Sequence, residues 1–175
     1  MTSEFSGRVA FITGGASGLG RAAAVQLAHQ GALVVVADVQ RDAAEGVVRE
    51  LTARGAQSIA ITCDVRDDTA VERAVAATVA RFGRLDIAIN AAGIGGPEVK
   101  TAEYAPDDWD RVIDINLNGV WRCMRHEIPA MLASGGGAIV NVSSVAGLIG
   151  FPRHPAYAAS KHGVVGLTKT AALEY

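Results

Sequence analysis

Short β-branched runs alternate with helical stretches along nearly the whole chain, and that rhythm excludes most fold classes. Val9-Ala10-Phe11-Ile12, Leu33-Val34-Val35-Val36, Ile59-Ala60-Ile61, Leu85-Asp86-Ile87-Ala88-Ile89 and Ala138-Ile139-Val140-Asn141-Val142 read as five strands. Most are apolar without alternation, as strands covered on both sides are. Between them, segments near 18–30, 41–54, 67–82 and 106–133 read as helices, and one more begins near Tyr157. The expectation is an α/β chain: a doubly wound parallel sheet with helices on both faces. Gly31, Gly55 and Gly83 stand where left-handed helix caps are wanted, and Pro106 with Asp107 and Asp108 suits a first helical turn. Pro129 is expected to end or kink the long helix late.

With 175 residues, 50% of them hydrophobic and 19% charged, residues 1–175 fit one globular domain with a sizeable core. The formal net charge of -2 provides no basic surplus for a phosphate backbone, so nucleic acid is not an expected partner. The N-terminal segment lacks a basic stretch followed by an apolar one. No apolar run approaches the ~20 residues of a membrane span. A cytoplasmic protein with no membrane partner is expected. Cys63 and Cys123 are far apart and read as buried free thiols, while His29, His126, His154 and His162 lack ligand spacing. No metal site is expected.

The first strand runs directly into Thr13-Gly14-Gly15-Ala16-Ser17-Gly18-Leu19-Gly20 and then a helix. Backbone N–H groups and a helix N-terminus converge there, which suits a diphosphate. Gly14 can take the tight turn, Gly18 lets phosphates near the backbone, and Gly20 lets helix and strand approach. A glycine cluster alone is usually a plain turn; its position between a first strand and a helix raises this one above that reading.

Asp38 ends the second strand, where a carboxylate can accept hydrogen bonds from an adenosine ribose and would repel a 2'-phosphate. NAD is favoured over NADP, with Arg41 nearby as the argument for NADP. A cap for the following helix is the competing role for Asp38. Asp64-Val65 follows the third strand and Asn90-Ala91-Ala92-Gly93 the fourth, both on the carboxyl edge where open α/β sheets bind ligands. Asp64 could also cap the next helix, although Asp67 or Asp68 suits that better.

Tyr157 and Lys161 stand four positions apart, which stacks a phenol and an ammonium on one helix face. A free tyrosine, with a pKa near ~10, is a poor base at neutral pH. A fixed cation beside it favours the phenolate. For an isolated Tyr-x-x-x-Lys the simpler reading is a packed ring and a solvated lysine. The other signatures in this chain overturn it.

Thr13-Gly14-x-x-x-Gly18-x-Gly20, Asp64-Val65, Asn90-Ala91-Ala92-Gly93, Asn116 within Asp114-Ile115-Asn116-Leu117-Asn118-Gly119, Ser143-Ser144 and Tyr157-x-x-x-Lys161 occur in order. On these motifs the chain resembles the short-chain dehydrogenase/reductase family, from about Gly7 to the last residue. The resemblance implies a Rossmann-like sheet and an oxidoreductase that moves a hydride between NAD(H) and a secondary alcohol or ketone. It implies Tyr157 as general acid/base, Lys161 lowering its pKa and holding the nicotinamide ribose, and Ser144 orienting the substrate oxygen. Ser144 is preferred to Ser143 because it lies 13 residues before Tyr157, the family's usual interval. Asn116 would position a water in a proton relay to Lys161. The implied cofactor contacts are Gly14, Ser17, Gly18, Leu19, Gly20, Asp38, Asp64, Val65, Asn90, Ala91, Gly93, Tyr157 and Lys161.

Ile94-Gly95-Gly96-Pro97 and Leu148-Ile149-Gly150-Phe151-Pro152 flank the expected site with apolar side chains, favouring a substrate with nonpolar bulk; core or interface packing is the plainer use of them. Family members are longer than 175 residues, and the resemblance implies that two further C-terminal strands, a loop closing over substrate and a nicotinamide contact are missing from this chain. A piece of a longer protein is expected, its fifth strand left as an apolar, unpaired edge. A homo-oligomer, dimer or tetramer, is expected of the complete protein. Should the short chain itself be the functional product, the alternative is a noncatalytic dinucleotide-binding or assembly module.

Overall fold

The structure is a computed structural model and describes residues 3–175. Five parallel strands form one sheet: β1 (Val9–Thr13), β2 (Leu33–Asp38), β3 (Ser58–Thr62), β4 (Ile87–Asn90) and β5 (Ala138–Asn141), in the order β3-β2-β1-β4-β5. The connecting helices are α1 (Gly18–His29), α2 (Arg41–Ala53), α3 (Asp68–Phe82), α4 (Pro106–Ile113) and α5 (Gly119–Ala133), and α6 (Pro155–Glu174) follows β5.

Both faces of the central strands are apolar because side chains alternate across the sheet. Ala10 and Ile12 of β1, with Val34 and Val36 of β2, pack under Ala24, Ala44, Val47 and Leu51 of α1 and α2. Phe11 and Val35 point the other way, into Val71 and Val75 of α3 and Cys123 and Met131 of α5. Burying one such side chain is worth roughly 1.5–3 kcal/mol, so these two layers fix the register. α6 joins the second layer, with Val164 against Val120 and Met124 of α5. The doubly wound sheet expected from the strand rhythm is the observed one.

β5 differs from the strands before it. Among the described residues it pairs only with β4, and Val140 is 53% exposed, so the strand is an apolar edge. Gly31, Gly55 and Gly83 take the left-handed backbone expected after α1, α2 and α3, with φ of 86°, 85° and 81°.

The long helix expected over 106–133 is interrupted. One π-helical stretch, Asp114–Asn118, separates α4 from α5, and it carries Asn116. Such wide turns insert an extra residue into a helix and re-aim the side chains beyond it. Pro129 does not end α5, which continues to Ala133. Proline costs a helix interior about 3 kcal/mol. Here the packing of Cys123, Met124 and Met131 along one face outweighs it.

Candidate active site

The carboxyl ends of β1, β2 and β4 open on one groove of about 730 Å³, whose walls include Gly14, Ser17, Gly18, Leu19 and Gly20. Gly14 has φ of 64°, and a Cβ there would meet Ala92 N at 2.7 Å and the Ala91 carbonyl carbon at 2.9 Å. Only glycine lets the first turn lie flat on the turn after β4. A Cβ on Gly20 would overlap the carbonyl oxygen of Gly14, so this glycine serves the approach of α1 to the turn rather than to a strand. Gly18 is open, with nothing within 4 Å of the Cβ position. Ser17 is the N-cap of α1 in extended conformation and makes no side-chain cap bond, leaving the first N–H groups of the helix free of a side-chain partner.

Asp38 is buried where β2 meets the groove. Its Oδ2 accepts from Ala16 N at 3.0 Å and its Oδ1 from Gln40 N at 2.9 Å. The carboxylate thus ties the glycine turn to the end of β2; the N-cap position of α2 belongs to Gln40. Each oxygen keeps a second lone pair for a ligand. Asp64 and Val65 also line the groove. Arg66 holds Asp64 with contacts of 2.6 Å and 3.0 Å, and this hydrogen-bonded pairing draws the carboxyl below its usual range despite partial burial. α3 is capped by Asp67, which accepts from Thr69 N at 2.9 Å.

Ala91 and Gly93 face the groove, but the Asn90 side chain turns inward. Its Nδ2 donates to Glu127 Oε2 at 3.0 Å and to Asn141 Oδ1 at 2.9 Å. Asn116 is fully buried, and its amide clamps the next backbone segment. Oδ1 accepts from Ile94 N at 2.8 Å, while Nδ2 donates to Ile94 O at 2.9 Å and to Ser160 Oγ at 3.2 Å. Both donors of the amide are spent on protein. What the side chain does directly is fasten the segment after β4 to α6.

α6 carries Tyr157 and Lys161 on one face. The Lys161 Nζ stands 5.7 Å from the Tyr157 ring centroid and donates to Val142 O at 2.7 Å. Val142 lines the groove, and the same Nζ is 3.7 Å from the Cβ position of Gly93. Lys161 therefore joins the groove wall to the tyrosine. Burial pushes its ammonium below the usual lysine range. The two serines after β5 are used differently. Ser143 donates its hydroxyl to Lys161 O at 3.0 Å. Ser144 accepts from Ala146 N at 3.2 Å, which leaves its O–H free to donate. Beside Tyr157, the Phe151 ring lies 6.4 Å away and 42% exposed, with Leu148 and Ile149 exposed nearby in sequence.

Ile94, expected at the flank of the site, lines the groove; sequence reasoning missed Arg66 and Val142 there, although each adjoins a motif it singled out. It also missed the buried Glu127, which a helix would normally present to water. The available signal was spacing: Cys123, Met124, Ala130 and Met131 surround position 127 at i±3 and i±4, marking an inward face. Among the described residues no group of His, Cys, Asp and Glu could hold a metal ion, and no helix is long and apolar enough to cross a membrane.

A Rossmann-like sheet with a glycine turn at its carboxyl edge and a Tyr-x-x-x-Lys helix beside it defines a class of dinucleotide-dependent oxidoreductases. The family model for short chain dehydrogenase matches residues 8–175, and the chain belongs to that family. It is 48% identical over 175 residues to a cyclohexanol dehydrogenase of Acinetobacter sp. (strain SE19), covering 100% of this chain and 70% of that protein. The crystal structure of levodione reductase superposes with a TM-score of 0.93 at 43% identity, over 98% of this chain and 67% of that one. Carveol dehydrogenase from Mycobacterium avium, solved in complex with NAD, gives a TM-score of 0.95 at 35% identity, over 99% of this chain and 67% of that one. The chain thus spans about two thirds of the length of these relatives.

Proposed function

We propose that residues 1–175 form the NAD-binding domain of an alcohol dehydrogenase or ketone reductase, with Tyr157 as general acid/base. The residues fit a dinucleotide: a helix N-terminus without a side-chain cap, an open Gly18, and a carboxylate at the end of β2 with lone pairs to spare. Asp38 favours NAD over NADP, because a 2'-phosphate would meet its negative charge. Bound in the groove, the nicotinamide would accept or give the hydride. The protein's own part is to handle the proton and the oxygen.

In the oxidising direction, Tyr157 takes the alcohol O–H proton as the C–H bond breaks. Ser144 donates its free hydroxyl hydrogen to the substrate oxygen and holds it toward the tyrosine. Lys161 stabilises negative charge developing on the phenolic oxygen. Asn116 keeps the Ile94 segment and α6 in register. The observation that carries this reading is the position of Lys161, bonded to the groove wall at Val142 and 5.7 Å from the ring of Tyr157.

For substrate, we propose a ring-bearing secondary alcohol or its ketone. Phe151 offers apolar surface beside Tyr157, with Leu148 and Ile149 exposed just before it in sequence, and the relatives described above are dehydrogenases and reductases of cyclohexanol, levodione and carveol. We also propose a cytoplasmic homo-oligomer; Trp121 and Leu132 of α5, 48% and 58% exposed, are the surface a second copy would cover.

Fluorescence titration with NADH and NADPH, followed by absorbance assays of NADH formation from cyclic and linear secondary alcohols, tests the proposal. NADH should bind more tightly than NADPH, and cyclic alcohols should give the higher kcat/KM. Binding of neither nucleotide would overturn the cofactor assignment, and binding without turnover of any alcohol or ketone in the panel by the complete protein would overturn the enzymatic one.

A further inference from the structure

Beneath the groove, at the carboxyl end of β4, two buried oxygens lack hydrogen-bond partners: Oε1 of Glu127 and Oδ1 of Asn90. They belong to side chains that already share one bond, Asn90 Nδ2 to Glu127 Oε2 at 3.0 Å. Asn90 spends its other amide hydrogen on Asn141 Oδ1 at 2.9 Å, so it has no donor left. An ionised Glu127 has none either. Two acceptor oxygens would then both lie buried with no donor to satisfy them.

One proton satisfies both oxygens. A carboxylic acid and a primary amide are complementary, the acid accepting from N–H through one oxygen and donating its O–H to the amide carbonyl. The unpartnered atoms are the two that the second of these bonds would join.

We propose that Glu127 is a neutral carboxylic acid donating its Oε1–H to Asn90 Oδ1, so that the two side chains form a closed, two-bond pair under the groove floor. The pair makes Glu127 a positioning residue. It fixes Asn90, from which Ala91 and Gly93 continue as groove wall, and it links through Asn141 to Thr168 of α6, where Asn141 Nδ2 donates at 2.9 Å.

The surroundings favour the neutral form. Burial pushes the Glu127 carboxyl up to about 8, against the lowering effect of the Asn90 N–H. Cys63, from the end of β3, and Cys123, on α5 itself, are the ionisable neighbours, and burial raises both thiols, the former to about 12. From α3 the packed residues are Val71, Ala74, Val75 and Thr78, none of them titratable in this range. On α5, Arg122 is bound to Asp114 and His126 to Asp68. No cation among the described residues is paired with Glu127.

Glutamine in place of glutamate preserves this pairing without a titrating proton, accepting through its carbonyl and donating through its amide. Glu127→Gln should therefore fold with a melting temperature equal to or above that of the unsubstituted protein at pH 7. Because folding raises the carboxyl above its unfolded value, the stability it confers is complete below about pH 4.5 and is lost as pH rises toward about 8. The melting-temperature difference, variant minus unsubstituted protein, should climb across that window and then level off. A flat or falling difference would overturn the proposal. Should the variant fail to fold, carbon NMR of the unsubstituted protein labelled at glutamate side-chain carboxyls decides: one resonance should titrate near pH 8. Ionisation of every glutamate by pH 6 would sink it.

Discussion

Lys161 donates from Nζ to the carbonyl oxygen of Val142 at 2.7 Å, fastening the lysine of α6 to the residue just past β5. The bond holds a buried ammonium between the groove wall and the ring of Tyr157. Replacing Lys161 with Met keeps the apolar stem and removes both the charge and the tie. Turnover should fall by ~100-fold or more, the scale of positioned proton-transfer groups. A pH–rate profile compared with that of the unsubstituted enzyme checks this.

Asp38→Ala removes a carboxylate that braces the glycine turn through Ala16 N and the start of α2 through Gln40 N. The preference for NADH over NADPH should narrow in paired fluorescence titrations. Stability should fall by about 1–3 kcal/mol from the backbone donors left unmatched. Chemical denaturation of the unliganded protein separates that structural effect from lost binding.

Gly14→Ala would place a methyl against the Ala91–Ala92 backbone at 2.7–2.9 Å, at φ of 64°. Backbone on both sides leaves little room to give. Nucleotide affinity and melting temperature should drop together, whereas Gly18→Ala, with open space at its Cβ position but φ of 52°, should cost stability through backbone strain alone and so less than Gly14→Ala.

The acid limb of stability has a specific contributor in Asp86. Burial raises its carboxyl, but Arg84, the Val9 N–H and Arg8 together hold it below the usual range, with Arg84 Nε at 2.7 Å and Arg8 Nη1 at 2.7 Å. A depressed carboxyl stabilises the fold above its unfolded pKa, and that contribution is lost as pH falls through the folded value. Asp86→Asn should therefore lower the melting temperature at pH 7 and narrow its difference from the unsubstituted protein below about pH 4. Melting scans from neutral to acid pH check the sign.

The layered fold was legible because its evidence is periodic: Val34-Val35-Val36 has no polar side, so both faces had to be covered. The glycine turn and Asp38 were legible as places because a strand end, a turn and a helix start coincide there. Their internal bonds were less so; that Asp38 would brace Ala16 N depends on how two distant segments dock. Asn116 shows the limit most clearly. Nothing local marks Asp114–Asn118 as a π-helical stretch, and the partners of its amide, Ile94 and Ser160, lie 22 and 44 residues away. For Glu127 the spacing of its apolar neighbours marked an inward face, but its partner, on a strand 37 positions earlier, was not legible.

Proton transfer by Tyr157 is measured directly by comparing Tyr157→Phe with the unsubstituted enzyme in NADH formation from a cyclic secondary alcohol, alongside NADH binding by fluorescence. The substitution removes one hydroxyl and keeps the ring beside Phe151. Binding should be retained within a few-fold, while turnover falls by ~100-fold or more. Undiminished turnover in the phenylalanine variant would show that Tyr157 does not carry the proton.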